Sequence, residues 1–314
     1  MTPPFALVVP MLNAAPWLPD LLAGIAAQSV QPARFVVVDS SSDDDTAEQC
    51  RRAGAEVIVI RRQDFDHGRT RQMAIDGLSG VDYVVLMTQD AIPADKDAFA
   101  NLLRSFEDPK TGVAYGRQLP RIGAGAIEAH ARLFNYPDAD RLDDSDTMRT
   151  RGVRASFCSN SFAAYRLSAL SAVGGFPRNC ILGEDTVAST SMMQNGWRKR
   201  YVADAKVLHS HDYRIAQEFR RYFDIGVMHV YDAELRSAYR FASGEGMKFV
   251  LSELRYLLGH APLEIPSALI RTALKLCGYR AGKAYRKLPQ SWITHMSMHR
   301  GWWARQDDLS LHTA

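Results

Sequence analysis

Residues 84–95 read VVLMTQDAIPAD, and this stretch decides the fold. The apolar run Val84-Val85-Leu86-Met87 stops at Thr88-Gln89-Asp90, and Pro93 follows closely. A short apolar run bounded by turn-forming residues reads as a buried strand. Such a strand delivers one carboxylate at its tip, and that carboxylate needs something to hold. The same grammar recurs upstream. Phe5 to Val9 is closed by Pro10, Phe35 to Val38 ends at Asp39, and Val57 to Ile60 is a third run. Between the runs, helical patterns cover Trp17–Gln28, Thr46–Ala53 with Gly54 beyond it, and Thr70–Leu78. Alternating strand and helix signals predict parallel strands joined by crossover helices, a doubly wound α/β sheet. Apolar strands without alternation predict a sheet covered on both faces.

Ligands of such sheets sit beyond the carboxyl ends of the strands. The first run leads into Pro10-Met11-Leu12-Asn13, and the second into Asp39 through Thr46. The third leads to Asp64-Phe65-Asp66-His67-Gly68, and the fourth to Thr88-Gln89-Asp90. Carboxylates, an amide and an imidazole are thereby brought toward one rim. Asp39 can accept hydrogen bonds from a ribose or base edge, because a carboxylate is an acceptor only. Asp90 can hold a divalent cation that bridges two phosphates, since Mg²⁺ and Mn²⁺ take oxygen ligands and need few from the protein. Neither G-x-G-x-x-G nor G-x-x-x-x-G-K-[ST] is present, which disfavours a dinucleotide dehydrogenase or a P-loop enzyme.

The middle of the chain is more polar. Val113 to Arg117 reads as a strand, and residues 123–154 as a helix plus a mobile loop carrying Asp138, Asp140, Asp143, Asp144 and Asp146. Gly183-Glu184-Asp185-Thr186 opens a helix; Arg200–Ala203 and Lys206–Leu208 read as strand pieces ending at His209-Ser210-His211. Beyond Gln217 the pattern is mostly helical, with a boundary near residues 242–246. The expected division is an α/β domain over residues 1–240, which carries these strand tips, and a basic helical region over 241–314.

Composition bounds the class. At 314 residues and 46% hydrophobic, the chain suits one large or two modest domains. A net charge of +3 gives no reason to invoke nucleic acid. Cys50, Cys158, Cys180 and Cys277 show no metal-site spacing and read as reduced thiols of a cytoplasmic protein. The N-terminus lacks the basic start of a signal peptide, and no apolar run is long enough to span a bilayer.

The order Pro10…Asn13, Val37-Val38-Asp39-Ser40-Ser41-Ser42-Asp43, Asp90 and Gly183-Glu184-Asp185 resembles a family 2 glycosyltransferase of the GT-A fold. The segments Phe65-Asp66-His67-Gly68-Arg69-Thr70-Arg71 and Gln89-Asp90-Ala91 resemble the F-x-H-G-x-T-R and Q-D-A segments of the bacterial rhamnosyltransferase branch. The likeness covers roughly residues 5–230. It implies an inverting transfer from a nucleotide sugar, dTDP-L-rhamnose, to a cell-surface glycan or lipid-linked acceptor. Pro10, Asn13, Asp39, Ser41, His67, Arg71, Gln89 and Asp90 would then bind the donor. Asp90 would hold Mg²⁺ or Mn²⁺, with His209 or His211 as a further ligand or a phosphate contact. Asp185, with Glu184 beside it, would be the general base. Asn160, Tyr165, Arg220 and Arg221 would face the acceptor. The family's D-x-D motif carries Thr88 at its first acidic position here, which leaves one carboxylate and implies weaker metal binding. Gln217 to Tyr222 falls where processive relatives carry Q-x-x-R-W; Arg221 replaces the Trp, which implies addition of a single sugar.

Structural readings compete at each position. A strand-end Asp often caps a helix or forms a turn, and Glu184-Asp185 are first-turn acids that a helix dipole favours. Asp43 to Asp45 read as a solvated helix start. A UDP- or GDP-hexose donor fits the same motifs, and a non-catalytic nucleotide or glycan binding module would keep the fold without needing a base. From Leu269 to Arg305 the chain holds eight Arg or Lys and no Asp or Glu, with Ile270, Leu274, Cys277, Ala281, Ala284 and Leu288 at helical spacing and Trp292, Trp302 and Trp303 following. This suits either peripheral docking on an anionic membrane surface or a helix packed on the catalytic domain.

Overall fold

The computed structural model describes residues 3–211, 213–231 and 245–311. Among the described residues nine strands form one sheet: β1 Phe5–Met11, β2 Arg34–Asp39, β3 Glu56–Val59, β4 Tyr83–Met87, β5 Ile92–Pro93, β6 Thr111–Leu119, β7 Arg141–Asp143, β8 Phe162–Arg166 and β9 Arg198–Leu208. Their order is β3-β2-β1-β4-β8-β6-β9-β5, with β7 beside β9. The first four are parallel neighbours, β8 runs antiparallel between β4 and β6, and β6 pairs parallel with β9. The carboxyl ends of β1, β2, β4, β6 and β9 therefore open on one rim. The antiparallel β8 starts there, with Phe162 opposite Met87.

Alternation places Phe5, Leu7, Val9, Tyr83, Val85 and Met87 in one core layer and Val8, Val84 and Leu86 in the other. The central strands are covered on both faces, as their unbroken apolar character requires. The expectation fails at β3, an edge strand whose Val59 is 55% exposed. Pro10 is buried in β1 opposite Val38, just past the last residue that β1 pairs with β4, Val8. Its missing N–H thus falls where that ladder has ended.

Residues 123–154 are more ordered than expected. They hold a helix Ala126–Asn135, strand β7 and a helix Ser145–Arg151. The acidic cluster is used for construction. Asp144 caps the second helix in a capping box, Asp140 accepts from the Ala203 N–H, and buried Asp143 meets Arg141, Arg151 and Lys199. The two expected strand pieces are one strand, β9, with a register shift in its pairing to β6 between Gly116 and Arg117.

The helix Ile215–Tyr231 carries the C-terminal region. A Cβ on Gly282 would stand 2.0 Å from the Phe223 carbonyl oxygen, and one on Gly226 2.3 Å from that of Tyr279. The helix Ile265–Lys283 thus lies backbone to backbone against it. Trp302 and Trp303 are buried with Phe223, Val227, Met228 and Ile181 in a third apolar cluster. Arg271 and Lys275 pair with Glu218. Part of the basic tail therefore packs on the Ile215–Tyr231 helix and its neighbours, in line with one of the two sequence readings, and only Trp292 of its three tryptophans is exposed. Most of the expected boundary at residues 242–246 lies outside the described residues.

Candidate active site

The strand-tip rule brings three metal-type side chains together. Asp90 follows β4, and His209 and His211 follow β9. One ligand atom from each lies within 4.8 Å of the others. His209 Nδ1 is 3.4 Å from Asp90 Oδ1, and His211 Nδ1 is 3.6 Å from Oδ2. Burial pushes both imidazoles down to about 3, so they are neutral with lone pairs available. The Nε2 of His209 bonds Ser161 Oγ at 3.1 Å, the kind of support that fixes a ligating imidazole. A set of one carboxylate and two imidazoles fits a divalent cation, and suits Mn²⁺ better than Mg²⁺, which takes nearly all its ligands as oxygen. Arg121, after β6, donates to the Asp90 carbonyl at 2.8 Å and lies 4.1 Å from the Trp17 ring centroid. The strand-tip rule could have found Arg121, since it lies two residues past β6.

The acidic pair opens the helix Glu184–Gln194, whose N-cap Gly183 has φ 79°. A side chain at Gly183 would also strike Met228 Sδ at 2.5 Å. Neighbours in sequence, the two carboxylates have different surroundings. Glu184 is buried, 3.1 Å from Arg71 Nη1, and accepts from Asn160 Nδ2 at 2.9 Å. Burial raises its pKa, but Arg71, His67 and Asn160 outweigh that and leave it lowered, so Glu184 is ionised. Asp185 is pushed up to about 7 by burial and then by the Glu184 charge. Its Oδ2 accepts from the Asn160 N–H at 2.9 Å and its Oδ1 from the Thr186 N–H at 2.7 Å. A carboxyl near 7 is matched to proton transfer at neutral pH.

Several expected ligand contacts are corrected by burial. Tyr165 is 0% exposed; its hydroxyl donates to Asn160 Oδ1 at 2.8 Å. Asn160 is itself buried, so neither residue offers a surface to an acceptor. Together they orient Glu184. Arg71, 3% exposed, serves the same carboxylate and donates to the His67 carbonyl. Gln89 spends its amide on the Leu12 backbone, accepting from N–H at 2.7 Å and donating to C=O at 3.1 Å, which ties the β1 and β4 tips. Pro10 is likewise covered and shapes the end of β1.

Three of the expected donor residues stand together at the β1 and β2 tips. Asp39 is buried at the β2 tip and accepts from the Ser42 N–H and hydroxyl. Asn13, with φ 49°, accepts from the Asp43 N–H, and Ser41, with φ 57°, donates to the Ile60 carbonyl. Asn13 and Ser41 are exposed. Two non-glycine residues in the left-handed region, side by side at adjacent strand tips, mark backbone held in a costly shape. Arg221 is exposed with its guanidinium 5.7 Å from the Tyr213 ring centroid, and Tyr213 stacks on His211. Arg220 is half-buried on the same helix. His67 is edge-on to His299, from the far end of the chain, with ring centroids 5.3 Å apart. That contact had no sequence signal.

A parallel strand-tip rim that gathers a cation-type cluster and a carboxyl pushed up to about 7 is the architecture of a GT-A glycosyltransferase. The chain belongs to the family described as Glycosyl transferase family 2, which its residues 6–174 match. It is 40% identical over 303 residues to the O-antigen chain rhamnosyltransferase WbaN of Salmonella anatum, covering 96% of each chain. It is 39% identical over 298 residues to the O-antigen chain rhamnosyltransferase RfbN of Salmonella typhimurium, covering 95% of each. Among solved structures, a mannosyltransferase from Pyrobaculum calidifontis in complex with GDP-Man and Mn²⁺ is similar at TM-score 0.55 and 19% identity, over 98% of this chain and 87% of that one. Staphylococcus aureus TarS 1–349 with UDP-GlcNAc is similar at TM-score 0.51 and 15% identity, over 90% and 92%. The expected fold and family are thus borne out.

Proposed function

We propose that this glycosyltransferase moves a single L-rhamnosyl unit from dTDP-L-rhamnose to a hydroxyl of a cell-surface, lipid-linked glycan, with inversion. One observation carries the mechanism: the dipeptide Asn160-Ser161 joins the two halves of the site. The Asn160 N–H holds Asp185, and the Ser161 hydroxyl holds His209. Asp185 takes the proton of the acceptor hydroxyl. The oxygen bonds to the anomeric carbon as the carbon–oxygen bond to the diphosphate breaks, and dTDP leaves with the bonding pair. Asp90, His209 and His211 would hold Mn²⁺, which when bound stabilises negative charge on the departing diphosphate. Asp39 and Asn13 face the nucleoside, and Arg221 supplies positive charge beside His211. The rhamnosyl assignment rests on the two relatives and on the H-G-x-T-R and Q-D-A segments.

A thermal-shift panel of dTDP, UDP, GDP and ADP, each with Mn²⁺, Mg²⁺ or EDTA, tests donor and cation together. A nucleotide at about 100 times its dissociation constant stabilises by roughly 2.7 kcal/mol. The expected result is a shift for dTDP that is larger with Mn²⁺ than with Mg²⁺ and shrinks in Asp90→Asn. A shift for UDP or GDP alone would overturn the rhamnosyl donor, and a shift indifferent to Asp90→Asn would overturn the metal site.

The lipid-linked acceptor gives the exposed tail a use. Leu269, Ala273, Leu276, Arg280 and Lys283 share one stripe of the Ile265–Lys283 helix, and all are exposed. Leu263, just before that helix, is 94% exposed. An apolar stripe running into cations suits the surface of an anionic bilayer. No helix among the described residues is long and apolar enough to cross a membrane. Phosphatidylglycerol vesicles should sediment the protein at low salt, and the pair Leu269→Asp and Leu276→Asp should release it. Failure to sediment at low salt would remove the membrane from this account.

A further inference from the structure

A cavity of about 290 Å³ lies between the segment leading into the His67–Asp76 helix and the C-terminal segment at residues 298–305. Its lining holds three guanidiniums, Arg62, Arg300 and Arg305, against one carboxylate, Asp66. Asp66 is already engaged, accepting from the Gly68 and Arg69 N–H groups through Oδ1 and from Arg305 Nη2 at 3.1 Å through Oδ2. Arg305 also donates to the Phe65 and Gln63 carbonyls, which fixes it in place. Arg62 is held on the other side by Asp43 and the Ser41 carbonyl. Arg300 makes no hydrogen bond or ion pair among the described residues and is exposed at the cavity.

A further feature suits an anion. The helix Arg300–Leu311 begins at the cavity, with Arg300, Gly301 and Trp302 in the lining, and a helix N-terminus offers N–H groups and a favourable dipole. The turn that presents these groups is built in: the Met298 N–H donates to the buried carboxylate of Asp224 at 2.8 Å.

We propose that this cavity is a second anion site, which takes a phosphoryl group independently of the cluster at Asp90. Its place, joined to Ser41 through Arg62 and to Glu184 through His67 and Arg71, leaves two sources for that group: the donor nucleotide or a phosphorylated acceptor. The second source rests on the function proposed above; the site itself does not.

Inorganic pyrophosphate in EDTA at low salt is the probe, with calorimetry and tryptophan fluorescence as readouts. Binding to the full-length protein is expected without metal, weakened at least tenfold in Arg300→Gln and unchanged in Asp90→Asn. Arg300 is exposed, so its variant should fold, and an unaltered melting temperature checks this. If dTDP in EDTA displaces pyrophosphate, the nucleotide is the source; if a hexose 1-phosphate displaces it and dTDP does not, the acceptor is. Absence of metal-free binding, equal binding by Arg300→Gln, or loss of binding in Asp90→Asn would each overturn the site. The dTDP and Mn²⁺ panel reads the proposed transfer separately, so either idea can fail alone.

Discussion

Asp185→Asn is expected to lower kcat for sugar transfer by about 10²–10⁴-fold, the range that a positioned general base supplies, while dTDP and Mn²⁺ still bind. The reason lies in how the carboxyl is held. Both its oxygens accept backbone N–H groups, from Asn160 and Thr186, so the side chain is fixed without an ion pair of its own. Burial and the adjacent Glu184 charge push it up to about 7. The wild-type rate should therefore rise about tenfold per pH unit up to about 7 and level off above, as the base loses its proton. In the Asn variant that acid limb should vanish with the activity. A variant with full turnover, or one that keeps the limb, would remove Asp185 from the role of base.

The same shift has a cost in stability. The folded state keeps the Asp185 proton up to about 7, whereas an ordinary Asp releases it near 3.8. The unfolded chain thus binds fewer protons between these values, and stability falls as pH rises through that window. This contribution is fully present below about pH 4 and lost by about pH 7. The enzyme should gain activity while this one group withdraws support, as expected where a carboxyl is held out of water for its chemistry.

Some of this site is written in short stretches of sequence and some is not. Asp39, Asp90, His209 and Gly183-Glu184-Asp185 stand at ends of runs whose periodicity is local, so strand-tip logic reaches them. The logic fails where burial decides. The run Phe162 to Tyr165 allows Tyr165 either in the core or at the rim, and only the fold decides between them; nothing in the sequence tells that Gln89 turns back to Leu12. Polar residues at a rim look alike whether they face a ligand or hold another side chain. It fails again where partners are distant in sequence. Arg305 meets Asp66 and His299 meets His67 across more than two hundred residues, through a close glycine crossing of two helices whose register no local pattern reports.

Arg71→Met should destabilise the protein by about 3–5 kcal/mol, the usual result of breaking a buried pair from one side, and lower its melting temperature by roughly 6–10 °C. Arg71 and Glu184 are 3% and 5% exposed, and their side chains meet at 3.1 Å. Methionine fills much of the arginine volume but leaves the Glu184 carboxylate without its facing guanidinium, held by Asn160 and its own backbone N–H. The loss therefore comes chiefly from a stranded charge and not from a cavity. The double variant Arg71→Met with Glu184→Gln separates the two, because it removes both charges and keeps an acceptor for Asn160. Much of the lost stability should return. The double variant also tests the coupling between the acids. Without the Glu184 charge, the second cause of the Asp185 shift disappears, and the acid limb of the rate profile should move to lower pH. Restored stability with an unmoved limb would mean that burial alone sets Asp185; no loss in the single variant would mean that the Arg71–Glu184 pair contributes nothing to holding the site.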